Sequence, residues 1–246
     1  MTGRSVVVAG RRPVLEALRS GRASEVLVAE GARRTPALRD VLAAAEEMGT
    51  PVTGVPRERI ESLAEGASHQ GVVARVEPPP PLGEADLERH AWPTSARVVV
   101  LDGVTDPRNV GAVARTAEAA GASALVLRRR RGAGITPAAV KASAGALLHL
   151  PVAEVANISR ALGRLKQAGF WVVGLAGEAE TSLSRAAPPP GRLALVLGAE
   201  GEGLSRLVRE SCDELLSIPL RGRVASLNVS AAAAVALFGL PPGDRR

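Results

Sequence analysis

The strongest constraint on the fold is a pattern in which a short apolar run ends at a glycine-bounded turn. The clearest run is 193–197 (LALVL), which stops at the turn 198–203 (GAEGEG). A second apolar piece ends at 218–222 (IPLRG). Continuous apolar runs of this length are typical of strands buried on both faces of a parallel sheet. Because such sheets bind ligands at the carboxyl ends of their strands, we predict that the two turns form two walls of one site.

Strand and helix patterns alternate along the whole chain, which predicts an α/β fold with a mostly parallel sheet covered by helices. The predicted strands are residues 5–9, 25–29, 51–55, 69–76, 96–101, 124–127, 152–155, 170–175 and 193–197. The predicted helices are residues 12–18, 37–48, 57–63 and 158–168, one from Pro107 to Gly121, one opening at Thr136 and one opening at 226–228.

Two domains and a linker are predicted from this pattern. Residues 1–76 form a small βαβαβαβ unit. Residues 77–95 begin with four prolines, Pro78 to Pro81, which favour a stiff extended spacer, and continue as a polar segment that we expect to be irregular. Residues 96–246 form the second domain.

The charge of the chain favours an anionic partner, with nucleic acid first. Lys+Arg number 31 against 25 Asp+Glu, a formal net charge of +6. Lys141 and Lys166 are the only lysines, and arginine suits bidentate phosphate contacts. Codon bias explains the arginine content equally well. Aromatic residues make up 2% of the chain, with no Tyr, which argues against a base-stacking platform.

The cysteine, the histidines and the hydropathy of the chain indicate its cellular compartment and whether it binds a metal. Cys212 is the only cysteine, which excludes an internal disulfide and fits a reducing cytoplasm. His69, His90 and His149 have no ligand partner at metal-binding spacing, so no metal site is predicted. The amino terminus has too short an apolar run for a signal peptide. The apolar run at 230–240 falls short of the ~20 residues that span a bilayer. A cytoplasmic protein without a membrane partner is predicted.

The turn 198–203 is neither a Walker loop nor a dinucleotide fingerprint, because no Gly-Lys-Ser/Thr follows and its glycines are spaced differently. Its glycines permit close approach of a ligand to the backbone, and Glu200 suits a cationic or hydroxyl-bearing ligand. The alternative is a tight strand-to-helix turn in which Glu202 helps to cap the next helix. The turn by itself does not decide between them.

The other candidate residues can also be explained by ordinary structural roles. Asn109, at a helix start, is placed to project toward the strand ends, whereas Arg115, six residues later, has the pattern of a solvated arginine. Ser226 and Asn228 have the pattern of ordinary helix caps. The run at 128–131 (RRRR) is either a solvated loop or a phosphate contact.

Three segments taken together resemble the motifs of the SpoU (TrmH-like) RNA ribose 2′-O-methyltransferases, in matching order and spacing. They are 102–122 (DGVTDPRNVGAVARTAEAAGA), 193–205 (LALVLGAEGEGLS) and 218–238 (IPLRGRVASLNVSAAAAVALF). Residues 9–18 (AGRRPVLEAL) and 68–74 (SHQGVVA) resemble the substrate-binding domain that precedes the catalytic domain in longer members. The resemblance is closest to the group that methylates a guanosine in 23S ribosomal RNA.

The resemblance implies S-adenosylmethionine as methyl donor and RNA, not DNA, as substrate. It implies that residues 96–246 form a parallel-sheet methyltransferase domain of the SPOUT type with a deep trefoil knot, and that residues 1–76 bind the RNA. It also implies an obligate homodimer with the site completed across the interface. The polar positions that it assigns to catalysis are Asn109, Arg115, Glu200, Ser226 and Asn228. The cofactor is assigned to backbone at Gly198, Ile218 and Leu227.

Arg115 and Glu200 are the two candidates for the general base. An arginine is effectively always protonated, so Arg115 is better suited to clamping a phosphate and stabilising the developing alkoxide. Glu200 is the conventional base if it lies within hydrogen-bond reach. In the first domain, Arg11 and Arg12 are candidate phosphate contacts.

Four alternatives remain open at this point. Within the methyltransferases they are a transfer-RNA substrate or a ribosomal site that confers antibiotic resistance. Outside them, a non-catalytic ribosome-assembly factor would not need Asn109, Arg115, Glu200 and Asn228 together. A nucleotide-dependent oxidoreductase is disfavoured because no glycine fingerprint follows the strand at 96–101.

Overall fold

The computed structural model of the protein describes residues 5–129, 135–187, 189–224 and 226–240. These residues form two compact units. The first unit contains the described residues of Met1–Pro79 together with Ile135–His149, and the second those of Pro80–Gly134 and Leu150–Arg246. Arg130 and Arg131, half of the basic run at 128–131, lie outside the described residues.

Ten strands and nine α-helices are defined in the described residues. The strands are β1 (Val6–Ala9), β2 (Ala23–Ala29), β3 (Val52–Val55), β4 (Val72–Val76), β5 (Arg97–Asp102), β6 (Ala124–Arg128), β7 (Val152–Val155), β8 (Phe170–Leu175), β9 (Arg192–Gly198) and β10 (Glu214–Leu216). The helices are α1 (Arg11–Arg19), α2 (Pro36–Glu47), α3 (Arg57–Ala64), α4 (Asp86–Arg89), α5 (Pro107–Ala119), α6 (Pro137–Ala142), α7 (Ile158–Gln167), α8 (Arg206–Glu210) and α9 (Val229–Gly239). Within the described ranges, no helix has both the length and the apolarity needed to span a bilayer.

The sheet of the first unit has the predicted βαβαβαβ order of elements but not the predicted strand directions. Its strand order is β1-β4-β2-β3. β4 runs antiparallel to both of its neighbours, and only β2 and β3 are parallel. The expectation of a mostly parallel sheet is therefore wrong for this unit. Val72, Val73 and Ala74 of β4 are fully buried, which suits a central strand, but an apolar run does not specify the direction in which that strand enters.

The segment Ile135–His149 packs with the first unit although it follows it by more than fifty residues in sequence. Thr136 caps α6 by accepting a hydrogen bond from the Ala139 amide at 3.2 Å. Gly145 has φ of +94°, and a Cβ at this position would lie 2.8 Å from the Cβ of Glu16. Glycine is therefore required here both by the backbone conformation and by the close contact.

The second unit contains one six-stranded sheet in the order β10-β8-β9-β5-β6-β7. All five pairings are parallel, which confirms the expectation of a mostly parallel sheet for this unit. Val98, Val99 and Val100 of β5 are fully buried, so the centre of the sheet is covered on both faces. β5 pairs with β9 in a register that sets Asp102 beside Gly198 at the carboxyl end of the sheet.

The segment after the prolines is not irregular, which corrects the expectation for residues 77–95. It contains α4, and Leu87 and Trp92 are buried in the core of the second unit. The indole Nε1 of Trp92 donates to the Leu87 carbonyl at 2.8 Å, and the ring meets Phe170 edge to face at 5.4 Å. Two apolar residues five positions apart show no periodicity, so only their tertiary partners reveal this packing.

Candidate functional site

The turn that leaves β9 folds back on itself. Ala199 and Gly203 form an antiparallel bridge in which the Gly203 amide donates to the Ala199 carbonyl at 2.9 Å. A Cβ on Gly198 would lie 2.2 Å from the carbonyl carbon of Gly203. Because the chain's own backbone occupies this space, glycine at 198 is required by the turn itself. The sequence suggested that a ligand approaches the backbone closely at this turn. At Gly198, it is the protein's own Gly203 that makes the close approach.

The end of the turn is held by the neighbouring strand. The Ser205 amide donates to Oδ2 of Asp102 at 2.7 Å, and Ser205 precedes α8 without making a side-chain cap. The suggested capping role of Glu202 is therefore wrong, and Glu202 lines a cavity instead. The reason is the register of β5 and β9, which places the Asp102 carboxylate within reach of the turn.

Asn228 joins the three segments that carry the predicted polar residues. Its Oδ1 accepts from the Ser230 amide at 2.9 Å and so caps α9. Its amide nitrogen donates to Oδ1 of Asn109 at 3.0 Å and to Oε1 of Glu200 at 2.6 Å. The same Glu200 oxygen accepts from the Val229 amide at 3.3 Å. One side chain thus fixes the start of α5, the β9 turn and the start of α9 relative to one another.

A cavity of 430 Å³ lies next to this network at the carboxyl end of the sheet. Its lining includes five of the predicted site residues, namely Gly198, Glu200, Ile218, Ser226 and Leu227. The turns at 198–203 and 218–222 are therefore two walls of one cavity, as predicted. The volume lies within the range of about 300–1,000 Å³ typical of small-molecule sites. The roles assigned to the individual residues stay predictions.

The chemistry of the lining distinguishes between classes of ligand. Its larger apolar residues are Leu175, Leu197, Leu204, Leu216, Ile218, Leu220, Leu227 and Val229. Its charged part consists of three carboxylates, Glu178, Glu200 and Glu202, and one cation, Arg209. Such a lining suits an apolar or cationic nucleoside and disfavours a pyrophosphate.

Glu178 and Arg209 were missed by the sequence analysis. They form an ion pair at the cavity wall, in which Glu178 lies in the loop after β8 and Arg209 lies on α8. A hydrogen bond from its own backbone amide, together with the Arg209 guanidinium, lowers the pKa of Glu178. Neither residue belongs to a recognisable motif, because the loop after β8 brings Glu178 to α8 only through the fold.

Arg115 does not join the other predicted residues within one chain. It is exposed on α5 and does not line the cavity. Six residues of helix separate it from Asn109 by about 9 Å along the axis. In the described part of the chain, it forms no hydrogen bond or ion pair. Within a single chain, Arg115 is therefore a solvent-exposed surface arginine.

The remaining titratable groups of the described residues show one shifted thiol and no metal-binding cluster. Burial raises the pKa of the Cys212 thiol to about 11, and its Sγ donates to the Val208 carbonyl at 3.3 Å. Over the residues that the structure describes, no group of three or more His, Cys, Asp or Glu side chains is arranged to hold a metal ion.

The fold and the cavity define an α/β protein with a nucleoside-sized site at the carboxyl ends of parallel strands. The chain belongs to the SpoU rRNA methylase family, whose model matches residues 96–238. A second model, described as RNA 2′-O ribose methyltransferase substrate binding, matches residues 7–82. The resemblance drawn from the sequence motifs is confirmed.

Two curated relatives and one solved structure illustrate the likeness. A Pseudomonas putida protein named 23S rRNA (guanosine-2′-O-)-methyltransferase RlmB is 44% identical over 219 residues, covering 88% of this chain and 87% of that protein. The Escherichia coli K12 protein of the same name is 42% identical over 218 residues, covering 88% and 89%. The SpoU methyltransferase AviRb from Streptomyces viridochromogenes, solved with the cofactor AdoMet, is 26% identical with a TM-score of 0.80, covering 96% of this chain and 89% of that one.

Proposed function

We propose that this protein transfers a methyl group from S-adenosylmethionine to the ribose 2′-hydroxyl of a guanosine in 23S ribosomal RNA. The observation that carries the proposal is the Asn228 network beside the cavity, which brings together Asn109 and Glu200 from separate motifs. The names of the two curated relatives support the choice of 23S ribosomal RNA and guanosine. The deep knot that the family resemblance implies stays a prediction.

The cavity fits the proposed cofactor. Its apolar walls suit an adenosine, and its three carboxylates against one cation suit a positively charged sulfonium. Backbone at Gly198, Ile218 and Leu227 would hold the cofactor, as the resemblance implies. When bound, S-adenosylmethionine supplies a methyl group activated by the positive sulfur.

Glu200 is placed to act as the general base. Hydrogen bonds from Asn228 and from the Val229 amide hold its Oε1, so the orientation of the carboxylate is set before substrate binds. The carboxylate would accept the proton of the ribose 2′-hydroxyl as that oxygen takes up the methyl group that the bound cofactor would supply. Asn109 and Ser226 are proposed to position the ribose.

Arg115 is proposed to act in the site of a second protomer. Two features support a homodimer: Arg115 is exposed and does not line the site cavity of its own chain, and α9, which packs against α5, leaves Phe238 67% and Val235 43% exposed. An apolar helix face of this kind is typical of a surface covered by a partner. In that arrangement, the guanidinium stabilises the developing alkoxide and binds a neighbouring phosphate.

Mixing two inactive variants tests the composite site. In a dimer of one Arg115→Ala chain and one Glu200→Ala chain, one of the two sites has both native residues. After unfolding and refolding an equal mixture, we expect about a quarter of wild-type methyl transfer to return, because half of the dimers are mixed. If the mixture stays as inactive as either variant alone, Arg115 does not act across an interface.

The first unit is proposed to capture the RNA, with Arg11 and Arg12 as phosphate contacts. The match of residues 7–82 to a substrate-binding model supports this assignment. The domain boundaries 1–76, 77–95 and 96–246 stay predictions. A cytoplasmic location is proposed with them, supported by the single cysteine.

The test is methyl transfer from labelled S-adenosylmethionine to purified 23S ribosomal RNA and, separately, to bulk transfer RNA. Both products are digested to nucleosides and analysed by mass spectrometry. The expected product is 2′-O-methylguanosine in ribosomal RNA alone. Methylated product in transfer RNA would support the proposed reaction but contradict the proposed ribosomal RNA substrate. Cofactor binding without transfer to free or ribosome-assembled RNA would support an assembly factor instead.

A further inference from the structure

Two cavities of the first unit share a wall built around Arg11. One has a volume of 600 Å³, and the other has a volume of 520 Å³. Arg11, Ser68 and Gln70 line both of them. We call the two cavities together the Arg11 cleft.

The cleft is strongly cationic. The first cavity adds Arg33 and Arg57 to Arg11, and the second adds Arg12 and Lys141. Arg57 is engaged with Glu61 in an exposed i,i+4 ion pair. Glu30 is the one carboxylate in the described lining. Five cations against one carboxylate strongly favour an anionic ligand.

Arg11 is held in place but is not saturated. Its Nη1 donates to Oγ1 of Thr35 at 2.5 Å, which fixes the guanidinium against the start of α2. Its Nε is buried and has no hydrogen-bond partner in the described structure. A buried donor without an acceptor is costly, and a phosphate oxygen would satisfy it.

The loop before β4 contributes further donors. The side-chain oxygen of Gln70 accepts a hydrogen bond from the Arg11 amide at 3.3 Å. The backbone of Gln70 has a φ of +51°, which residues other than glycine rarely adopt. The Nδ1 of His69 accepts from the Gly71 amide at 3.0 Å. In the neutral imidazole, the proton is therefore on Nε2, which is a donor.

The combination of groups identifies the ligand class. Guanidinium, ammonium and imidazole donors suit phosphodiester oxygens. None of the described lining residues is Phe, Trp or Tyr, and the small imidazole of His69 is the one aromatic ring in the described lining, so the cleft offers no large platform for a base. Two adjoining concave cavities fit a single flexible strand better than the convex, rigid surface of an RNA duplex.

We propose that the Arg11 cleft binds the sugar–phosphate backbone of an unpaired RNA strand, with contacts on both sides of Arg11. This proposal rests on the proposed function for its choice of RNA as the anion. It also extends the capture surface beyond residues 7–82, because Lys141 comes from α6, within the match to the methylase model. The RNA-binding surface is therefore composed of two parts of the chain that are distant in sequence.

Arg33 and Lys141 are the best positions for a test. Both are exposed and make no hydrogen bond or ion pair with the described residues, so glutamine at either position removes charge without removing a contact of the fold. Arg39 and Arg59 are matched controls, because they are exposed arginines of the same unit that line neither cavity.

The experiment measures binding of a fluorescent oligouridylate to the full-length protein over a series of salt concentrations. We expect Arg33→Gln and Lys141→Gln each to weaken binding on the order of five-fold and to reduce the slope of log K against log salt by about 0.7. The double variant combines both losses. Arg39→Gln and Arg59→Gln keep the wild-type slope, and all four variants keep wild-type affinity for S-adenosylmethionine.

Two results would overturn the cleft. One is a wild-type slope in the double variant, and the other is equal losses in the control variants, which would indicate general charge attraction. If a duplex RNA of the same length shows the same dependence on Arg33 and Lys141, the unpaired strand is the wrong ligand. Methyl transfer by the wild type is measured in parallel. If methyl transfer is absent but RNA binding still depends on Arg33 and Lys141, the proposed function is refuted. The proposal that the Arg11 cleft binds RNA is then still supported.

Discussion

The cavity of the second unit and the Arg11 cleft of the first have opposite chemistry. The cavity has three carboxylates, one cation and apolar walls, and a hydrogen-bond network adjoins it. The cleft has five cations and one carboxylate. Apolar contact and short hydrogen bonds respond little to ionic strength, whereas phosphate contacts release counterions and weaken as salt rises. The comparison predicts that cofactor binding and RNA capture can be disrupted independently.

The largest effect is expected from removing the Glu200 carboxylate. Glu200→Gln keeps the size of the side chain but removes the proton acceptor, so turnover should fall by about 10²–10⁴-fold. S-adenosylmethionine affinity, measured by calorimetry, should stay near the wild-type value. Glu202→Gln, on the same turn, is the control and should retain most of the turnover. Weakened cofactor binding with near-normal turnover in Glu200→Gln would contradict the assigned role.

Salt provides the most direct comparison of the two regions. If three phosphate contacts form on a single strand, a fourfold rise in salt should weaken RNA binding about twenty-fold. S-adenosylmethionine affinity measured over the same range should change less than two-fold, on the same estimate. A parallel fall of both affinities would mean that the cavity also depends on long-range charge.

A smaller effect, on stability, is expected from the β9 turn. In Gly198→Ala the new methyl group would lie 2.2 Å from the Gly203 carbonyl carbon. We expect a loss of about 1–3 kcal/mol in the free energy of unfolding, measured by urea denaturation. Gly177→Ala is matched, since Gly177 lines the same cavity and a Cβ there meets nothing within 4 Å. Equal stability of the two variants would show that the turn relaxes freely.

The smallest effect concerns the partly buried thiol of Cys212. Since burial raises the pKa of Cys212 to about 11, only about one thiol in a thousand is ionised at pH 8. Alkylation by iodoacetamide in the folded protein should therefore be slow at pH 8 and accelerate as the pH approaches 11. The same thiol in denaturant, where its pKa returns to the ordinary value, is the control. Equal rates in both states would show that the core around Cys212 is open to water.

Much of the local structure could be predicted because it depends on neighbouring residues. The strand 170–175 was predicted with the bounds that the structure shows, since five apolar residues and one glycine between glycine-containing turns are typical of a buried strand. Asn228 was predicted to cap α9, and it does so. The convergence of the turns at 198–203 and 218–222 followed from the rule that parallel strands share one carboxyl edge.

Other features depended on contacts that have no local signature. The hydrogen bonds from Asn228 to Asn109 and Glu200 span 119 and 28 residues. The sequence around Asn228 was therefore compatible both with a simple helix cap and with a site residue. Glu178 and Arg209 meet only after β8 and α8 are placed. The burial of Trp92 depends on Phe170, seventy-eight positions away in the chain.

By itself, the sequence determined most of the elements, the predominance of parallel strands in the second unit and the family to which its motifs belong. Those properties follow from periodicity, caps and turn residues, which act over a few positions. Only the tertiary structure decided the direction of β4, the association of Ile135–His149 with the first unit and the composition of the Arg11 cleft. The physical reason is that such arrangements are chosen by the sum of many weak packing terms between distant segments, and no short stretch of residues encodes that sum.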